Sequence, residues 1–437
     1  MPEPEQPRTR LEQLLRQRHM TVDDFRVRYA KASGTELSER QAYRWVAGQL
    51  RGLPYPHACA ALERLFGEPA ARVLGDPYGT GVVVPARRHE AAGRRGDARD
   101  DWQGQMLAAS ADRARDFLLR MEVSNVGNEI LDQLRDDVRR LVVAYQLDPL
   151  EGLLGDIVDT QERAFALLEG RQRPTQTREL YLLAGVASGL MAKASHDLGG
   201  PHDAMTQART AYTCADNADH DGLRVWIRGL QSLIAYWSGR LADSVKYAQR
   251  GADAAARSRG TSAVWLASSE ARSLAALGRL DEAHDAVDRA AQAREWACDD
   301  ELDQLDGICT FTRPRQLYYA ADALAWAGTE EAEHAEALAA EALDAYATAP
   351  EIDRAFGDEA GARCALAVAR VMRGEIDGAA EAVAPVLDLP SAQRIHGIVT
   401  SVEHFHRVLS GIESGRSGRE LAEQLHAFST ERLALSR

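Results

Sequence analysis

Ala276-Leu-Gly-Arg-Leu-Asp-Glu-Ala283 decides the fold, because its pattern returns at three other places in the chain. Asp197-Leu-Gly-Gly-Pro-His-Asp-Ala204, Trp237-Ser-Gly-Arg-Leu-Ala-Asp-Ser244 and Met372-Arg-Gly-Glu-Ile-Asp-Gly-Ala379 each carry a glycine, usually an aliphatic two residues on, and a small residue three further. Gly328 occupies a similar place without the aliphatic. The glycines at 199, 239, 278, 328 and 374 lie 40, 39, 50 and 46 residues apart. Recurrence at intervals of this size marks a stacked supersecondary unit. Glycine ends a first helix because it enters the left-handed conformation without a Cβ penalty. The aliphatic then plugs the turn. Small residues such as Ser244, Ala248, Gly251, Ala283 and Ala290 let a second helix lie close to the first.

Working outward, apolar residues recur at helical spacing nearly everywhere, with Ala, Leu, Glu and Arg between them. Val82-Val83-Val84 is the one compact β-branched run, enough for an edge strand or an extended linker at most. The expected fold is all-α. Residues 102–170 read as further helices without the glycine signature, a capping or dimerising unit, and the helix around His426 ends the stack. The glycine pattern resembles the tetratricopeptide repeat, although the repeats here exceed the usual 34 residues and the early aromatic of the first helix is displaced or missing. That resemblance implies a right-handed α-solenoid of helix pairs with a concave groove. The groove positions it implies are Lys193 and His196, Trp226 and Tyr236, Trp265 and Arg272, and Tyr318 and Asp322. Aromatics beside cations there would hold a peptide or an amphiphilic small molecule. The alternative for Trp226, Tyr236 and Trp265 is simple packing between neighbouring helices.

The first 75 residues are a separate matter. Thr9 is placed to cap a helix bearing Leu11, Leu14 and Leu15, and Thr21 to cap one bearing Phe25 and Tyr29 that stops at Gly34. Ser38 caps a third helix that ends at Gly48, and Pro56 leads into a fourth with Leu62 and Leu65 inward. In the third helix Leu37, Ala42, Trp45 and Val46 form the inner stripe, leaving Glu39, Arg40, Gln41 and Arg44 on the other side. Arginine pairs bidentately with guanine, and glutamine with adenine. The run Leu37-Ser38-x-x-x-Ala42-x-x-Trp45-x-x-Gly48 resembles the recognition-helix signature of the phage-repressor-like (XRE/Cro) helix-turn-helix family. By that resemblance Ser38 contacts the DNA backbone, Glu39, Arg40 and Arg44 fall at base-reading positions, and Gln41 and Tyr43 lie beside them. Upstream, Gly34 is followed by Thr35 and Glu36, where the family places one glycine directly before the aliphatic–Ser pair. The whole chain is similar to actinobacterial transcriptional regulators that join such a head to a tetratricopeptide-like body.

Composition sets the bounds. The chain has 437 residues and a formal net charge of −14, yet residues 1–100 carry a net of +4 and the rest −18. A basic head on an acidic body suits a head that meets a polyanion. Only three of the 52 basic residues are lysines (Lys31, Lys193, Lys246), and none sits in a P-loop. The five cysteines are far apart, as in a reducing compartment. The Met-Pro-Glu-Pro-Glu-Gln-Pro start has no apolar signal region, and the longest uncharged apolar stretch, Leu180 to Ala192, spans 13 residues where a bilayer needs ~20. A cytoplasmic protein without membrane contact is expected. His196-Asp197 and His202-Asp203 flank a turn, where such residues serve as caps, and His404 and His406 point apart on a helix. No metal site, cofactor or enzymatic motif is expected. The expected organisation is a DNA-binding head (1–75), a linker (76–101) rich in Gly, Pro and charge, and a repeat body (102–437) that receives a signal and supports a homodimer on double-stranded DNA. The alternative is a protein-interaction adaptor whose helical head merely docks.

Overall fold

A computed structural model describes residues 7–50, 53–54, 56–77, 110–111, 113–114, 124–413 and 415–430. The described residues contain helices and turns and no strand. Val82–Val84 and all of the expected linker beyond Pro77 lie outside them. The chain divides into two compact units, residues 1–102 and 103–437.

The first unit comprises α1 (Arg10–Gln17), α2 (Val22–Ser33), α3 (Glu39–Val46), α4 (Pro56–Phe66) and α5 (Ala70–Val73). Thr9, Thr21 and Ser38 each accept from the backbone of the first turn that follows, and Gly34 caps α2 at φ 73°. Leu11, Phe25, Ala42, Ala61 and Leu62 are fully buried in one core, with Trp45 edge-on to Tyr29 at 5.5 Å. The Thr9 hydroxyl also donates to the Val46 carbonyl (2.8 Å), tying the start of α1 to the end of α3.

The second unit is a succession of hairpins. α6 (Asn128–Leu147) and α7 (Leu150–Leu168) turn at Asp148-Pro149 without a glycine. Then come α8 (Pro174–Asp197) with α9 (Pro201–Asn217), and α10 (Asp221–Trp237) with α11 (Leu241–Arg250) and the short α12 (Ala252–Ala255). α13 (Ser262–Ala276) pairs with α14 (Leu280–Glu295), α15 (Arg313–Ala325) with α16 (Ala332–Thr348), and α17 (Phe356–Met372) with α18 (Ile376–Leu387). α19 (His396–Ser410) and α20 (Gly415–Thr430), which carries His426, complete the array. All five turn glycines adopt positive φ, from 70° at Gly239 to 81° at Gly374. Ser244 shows why the second helix needs a small residue: its hydroxyl lies 2.8 Å from that of Ser232 and 2.7 Å from that of Ser273, all three fully buried.

First helices stack on one another through glycines. A Cβ on Gly189 of α8 would meet the Trp226 ring at 2.2 Å, and one on Gly229 of α10 would meet Trp265 at 3.0 Å. One aromatic of α10 and one of α13 therefore each rest on a glycine of the preceding first helix, and the pairs recur 40 and 39 residues apart. The helix starts share a device of their own. Arg315, Arg354 and Arg394 each donate to the carbonyl five residues earlier, at 3.1, 3.0 and 2.9 Å.

The array does not stay open. The connection from 296 to 312 turns inward, where the Gly307 backbone meets Val142 of α6, Arg139 pairs with Asp306, and the Trp226 indole donates to the Ile308 carbonyl (3.3 Å). This insertion is the source of the 50-residue interval between Gly278 and Gly328. Further along, α6 touches α17, and α8 touches α19. The first hairpins thus meet the last ones, and the concave side closes into an interior.

Candidate recognition face and internal cavities

On α3 the sequence separates two sides cleanly. Ala42 and Trp45 are buried, while Ser38, Glu39, Arg40, Gln41, Tyr43 and Arg44 are all exposed, Tyr43 by 53%. Ser38 and Gln41 form a capping box, with the Gln41 amide oxygen accepting from the Ser38 backbone (3.3 Å) and hydroxyl (2.9 Å). Gln41 is thereby committed to the helix start, and only its amide NH2 is left to face outward. Arg44 reaches the Gln49 carbonyl at 3.4 Å, a weak hold that leaves the guanidinium at the surface. Arg26 of α2 is used differently, donating to the Leu37 carbonyl (2.9 Å) and pairing with Asp23, which fixes the turn before α3. Ser38→Ala should cost about 1 kcal/mol of α3 stability, read as faster amide exchange over residues 39–44.

In the body, the eight expected groove residues separate into three sets. Trp226 and Trp265 belong to the core between first helices, 1% and 4% exposed, with Trp265 donating to the Tyr319 hydroxyl (3.1 Å). They line neither of the two cavities described next; packing between helices, the alternative reading, describes them. Lys193, His196, Arg272 and Tyr318 line a narrow cavity of about 90 Å³ at the centre of the closed array. Tyr236 and Asp322 line a second, larger one of about 280 Å³.

The central cavity is walled by charges that pair with one another. Lys193 Nζ holds both Asp197 oxygens at 2.5 Å, and the Tyr145 hydroxyl donates to the same carboxylate (2.8 Å). Arg315 pairs with Asp358 at 2.8 Å. Burial, with Lys193 nearby, holds His196 well below its usual pKa, so the imidazole is neutral beside the His396 ring at 5.4 Å. Arg272 is 1% exposed and lies over the Tyr319 and Tyr236 rings at 4.0 and 4.4 Å. Its Nε is 3.6 Å from Asp322 and has no hydrogen bond. Burial opposes the charge, yet Tyr319, Tyr318 and the Asp322 carboxylate together hold the guanidinium above its ordinary pKa. For Asp322, burial prevails over Arg272 and Tyr236 and raises the carboxyl.

Several features escaped the sequence. Arg315, Trp237, Trp326 and His404 complete the two cavities, and the recurrence of Pro350-x-x-x-Arg354 as Pro390-x-x-x-Arg394 was the available signal for the helix starts. Among the described residues no group of three or more His, Cys, Asp or Glu is arranged to hold a metal, and no helix is long and apolar enough to cross a membrane. Asp197 of the His196-Asp197 pair is spent on Lys193 and Tyr145, and His202 and Asp203 are exposed. No family model matches the chain. No curated protein matches its sequence.

Proposed function

We propose that the chain is a DNA-binding transcriptional regulator of the phage-repressor-like helix-turn-helix kind, whose helical-repeat body receives a signal and brings two copies together. The observation that carries this reading is α3: a capped, eight-residue helix with Ala42 and Trp45 sealed inside and Glu39, Arg40, Tyr43 and Arg44 outside. Two forked cations on one exposed helix match the major-groove edge of guanine. The net charge of +4 on residues 1–100, against −18 on the rest, supports the same assignment. A signal bound in the body would act by favouring one arrangement of the heads over another.

A second reading has its own support. The helical-repeat architecture by itself serves a protein-interaction adaptor at least as well, since stacked hairpins present long surfaces to protein partners and call for no nucleic acid. One experiment separates the two: selection of genomic fragments by the full-length protein, followed by binding at increasing salt. A regulator selects a defined site, and Arg40→Ala or Arg44→Ala each weakens that site by about 1–3 kcal/mol while leaving non-specific binding nearly unchanged. Weak, steeply salt-dependent binding without preference, equal in wild type and both variants, overturns the regulator and leaves the adaptor.

A further inference from the structure

The 280 Å³ cavity lies among α10, α11, α15, α17 and α19 and shares Trp237 and Ser401 with the central one. Its walls are aromatic and aliphatic: Tyr236, Trp237, Trp326, Leu241 and Val368. The polar groups on it are mostly spoken for. The Tyr236 hydroxyl accepts from the Trp326 indole (3.0 Å) and donates to Asp322 (3.3 Å), and Asp322 faces Arg272. His404 is the exception whose polar atoms are buried, and the exposed Arg407 is a second polar group on the wall, with no hydrogen bond or ion pair among the described residues. The His404 ring lies against Trp326, centroids 4.0 Å apart and planes tilted by 38°, and both of its nitrogens are buried without a hydrogen-bond partner. Burial, with Arg407 close by, pushes its pKa down to about 4, so the imidazole is neutral at pH 7 and offers one donor and one acceptor.

From this geometry we propose that the cavity is a binding site for an uncharged, planar aromatic molecule of about two fused rings bearing a hydroxyl, with His404 as its polar anchor. This deepens the signal-receiving half of the proposed function and rests on it. Size sets the first limit: a cavity of ~150 Å³ holds benzene, and 280 Å³ holds a bicyclic ring with a substituent. Charge sets the second. Asp322 on the wall already faces Arg272 and Arg407 is exposed to water, so a charged ligand would lose its hydration without a buried counterion. The hydroxyl follows from His404, because leaving a buried polar atom unpaired costs about 1–3 kcal/mol. A modest turn of the imidazole off Trp326 brings one nitrogen to the cavity, and a hydroxyl serves either nitrogen because it both donates and accepts.

The test titrates the full-length protein with 1-naphthol by calorimetry, following tryptophan fluorescence in parallel. Saturable binding of one naphthol per chain is expected, with 1-naphthoate at least tenfold weaker. His404→Phe keeps a ring against Trp326, removes both nitrogens, and should weaken 1-naphthol about tenfold. Val368→Trp fills the cavity and should abolish binding, its fold checked by circular dichroism. The proposal is overturned if wild type shows no saturable binding, if naphthoate binds as tightly as naphthol, or if His404→Phe or a folded Val368→Trp binds like wild type. Each titration is read without DNA, so this site and the recognition face on α3 stand or fall separately.

Discussion

Arg272→Ala is expected to remove about 3–5 kcal/mol from the stability of the repeat body, the largest loss of any single substitution considered. The cause is what stays behind. Arg272 is buried over the Tyr236 and Tyr319 rings, 3.6 Å from the half-buried Asp322. Without the guanidinium, the carboxylate has only the Tyr236 hydroxyl to face, and three aromatic rings lose the stem and plate that separate them. The loss has a pH signature. Asp322 already has its carboxyl raised by burial, and Arg272 is the group that draws it back down. In the variant the folded-state value rises further, so the folded form takes up a proton that the unfolded form releases. Stability lost at pH 8 should therefore be partly regained as pH falls toward the folded-state value. Urea unfolding of wild type and variant at pH 8 and pH 5.5 measures both. A deficit that grows on acidification would show that Asp322 is not the group left unpaired. Arg272→Ala combined with Asp322→Asn should lose less than Arg272→Ala alone.

Gly307→Ala should be nearly as damaging, at about 2–5 kcal/mol. Gly307 has φ 54°, and an added Cβ would lie 2.3 Å from the Val142 carbonyl oxygen, a backbone atom that cannot step aside. The insertion from 296 to 312 would have to lift away from α6, taking with it the Ile308 carbonyl that receives the Trp226 indole. Gly278→Ala is the control. It shares a positive φ, 74°, but nothing lies within 4 Å of its added Cβ. It should cost only the backbone strain, about 1–2 kcal/mol. Thermal unfolding ranks the two. Faster amide exchange across residues 300–311 in Gly307→Ala alone would locate the damage. Equal losses in both would mean that the insertion does not press on α6.

The sequence made the local structure plain and left the closure hidden. Gly199, Gly239, Gly278, Gly328 and Gly374 announce their turns because one backbone conformation excludes nearly every other residue. Thr9, Thr21 and Ser38 announce helix starts for an equally local reason, a side-chain oxygen reaching the next turn. The exposed side of α3 follows from periodicity over eight residues. The body's cavities obey no such rule. Reading Trp226 and Trp265 as groove residues assumed a concave side open to solvent, whereas their rings close on Gly189 and Gly229. The aromatic–glycine spacing was present in the sequence, but a glycine within a helix has several uses and only the partner's position shows which applies. The insertion from 296 to 312 has no periodicity, being held by Asp303 on Thr261, Arg139 on Asp306 and Gly307 on Val142. Those pairings join residues 42 to 167 apart, beyond what any window of sequence displays.

The meeting of α6 with α17 and of α8 with α19 gives the body a thermodynamic character unlike that of a linear stack. In a linear stack each unit leans only on its neighbours, so units can be shed from an end and the remainder persists. Here removing α19 and α20 strips cover from α8, near the other end of the order, and opens the cavity walls formed by Thr400, Ser401 and His404. The repeat unit is therefore not the cooperative unit. The body should melt in a single transition, and a small molecule lodged near its last helices would be felt at its first.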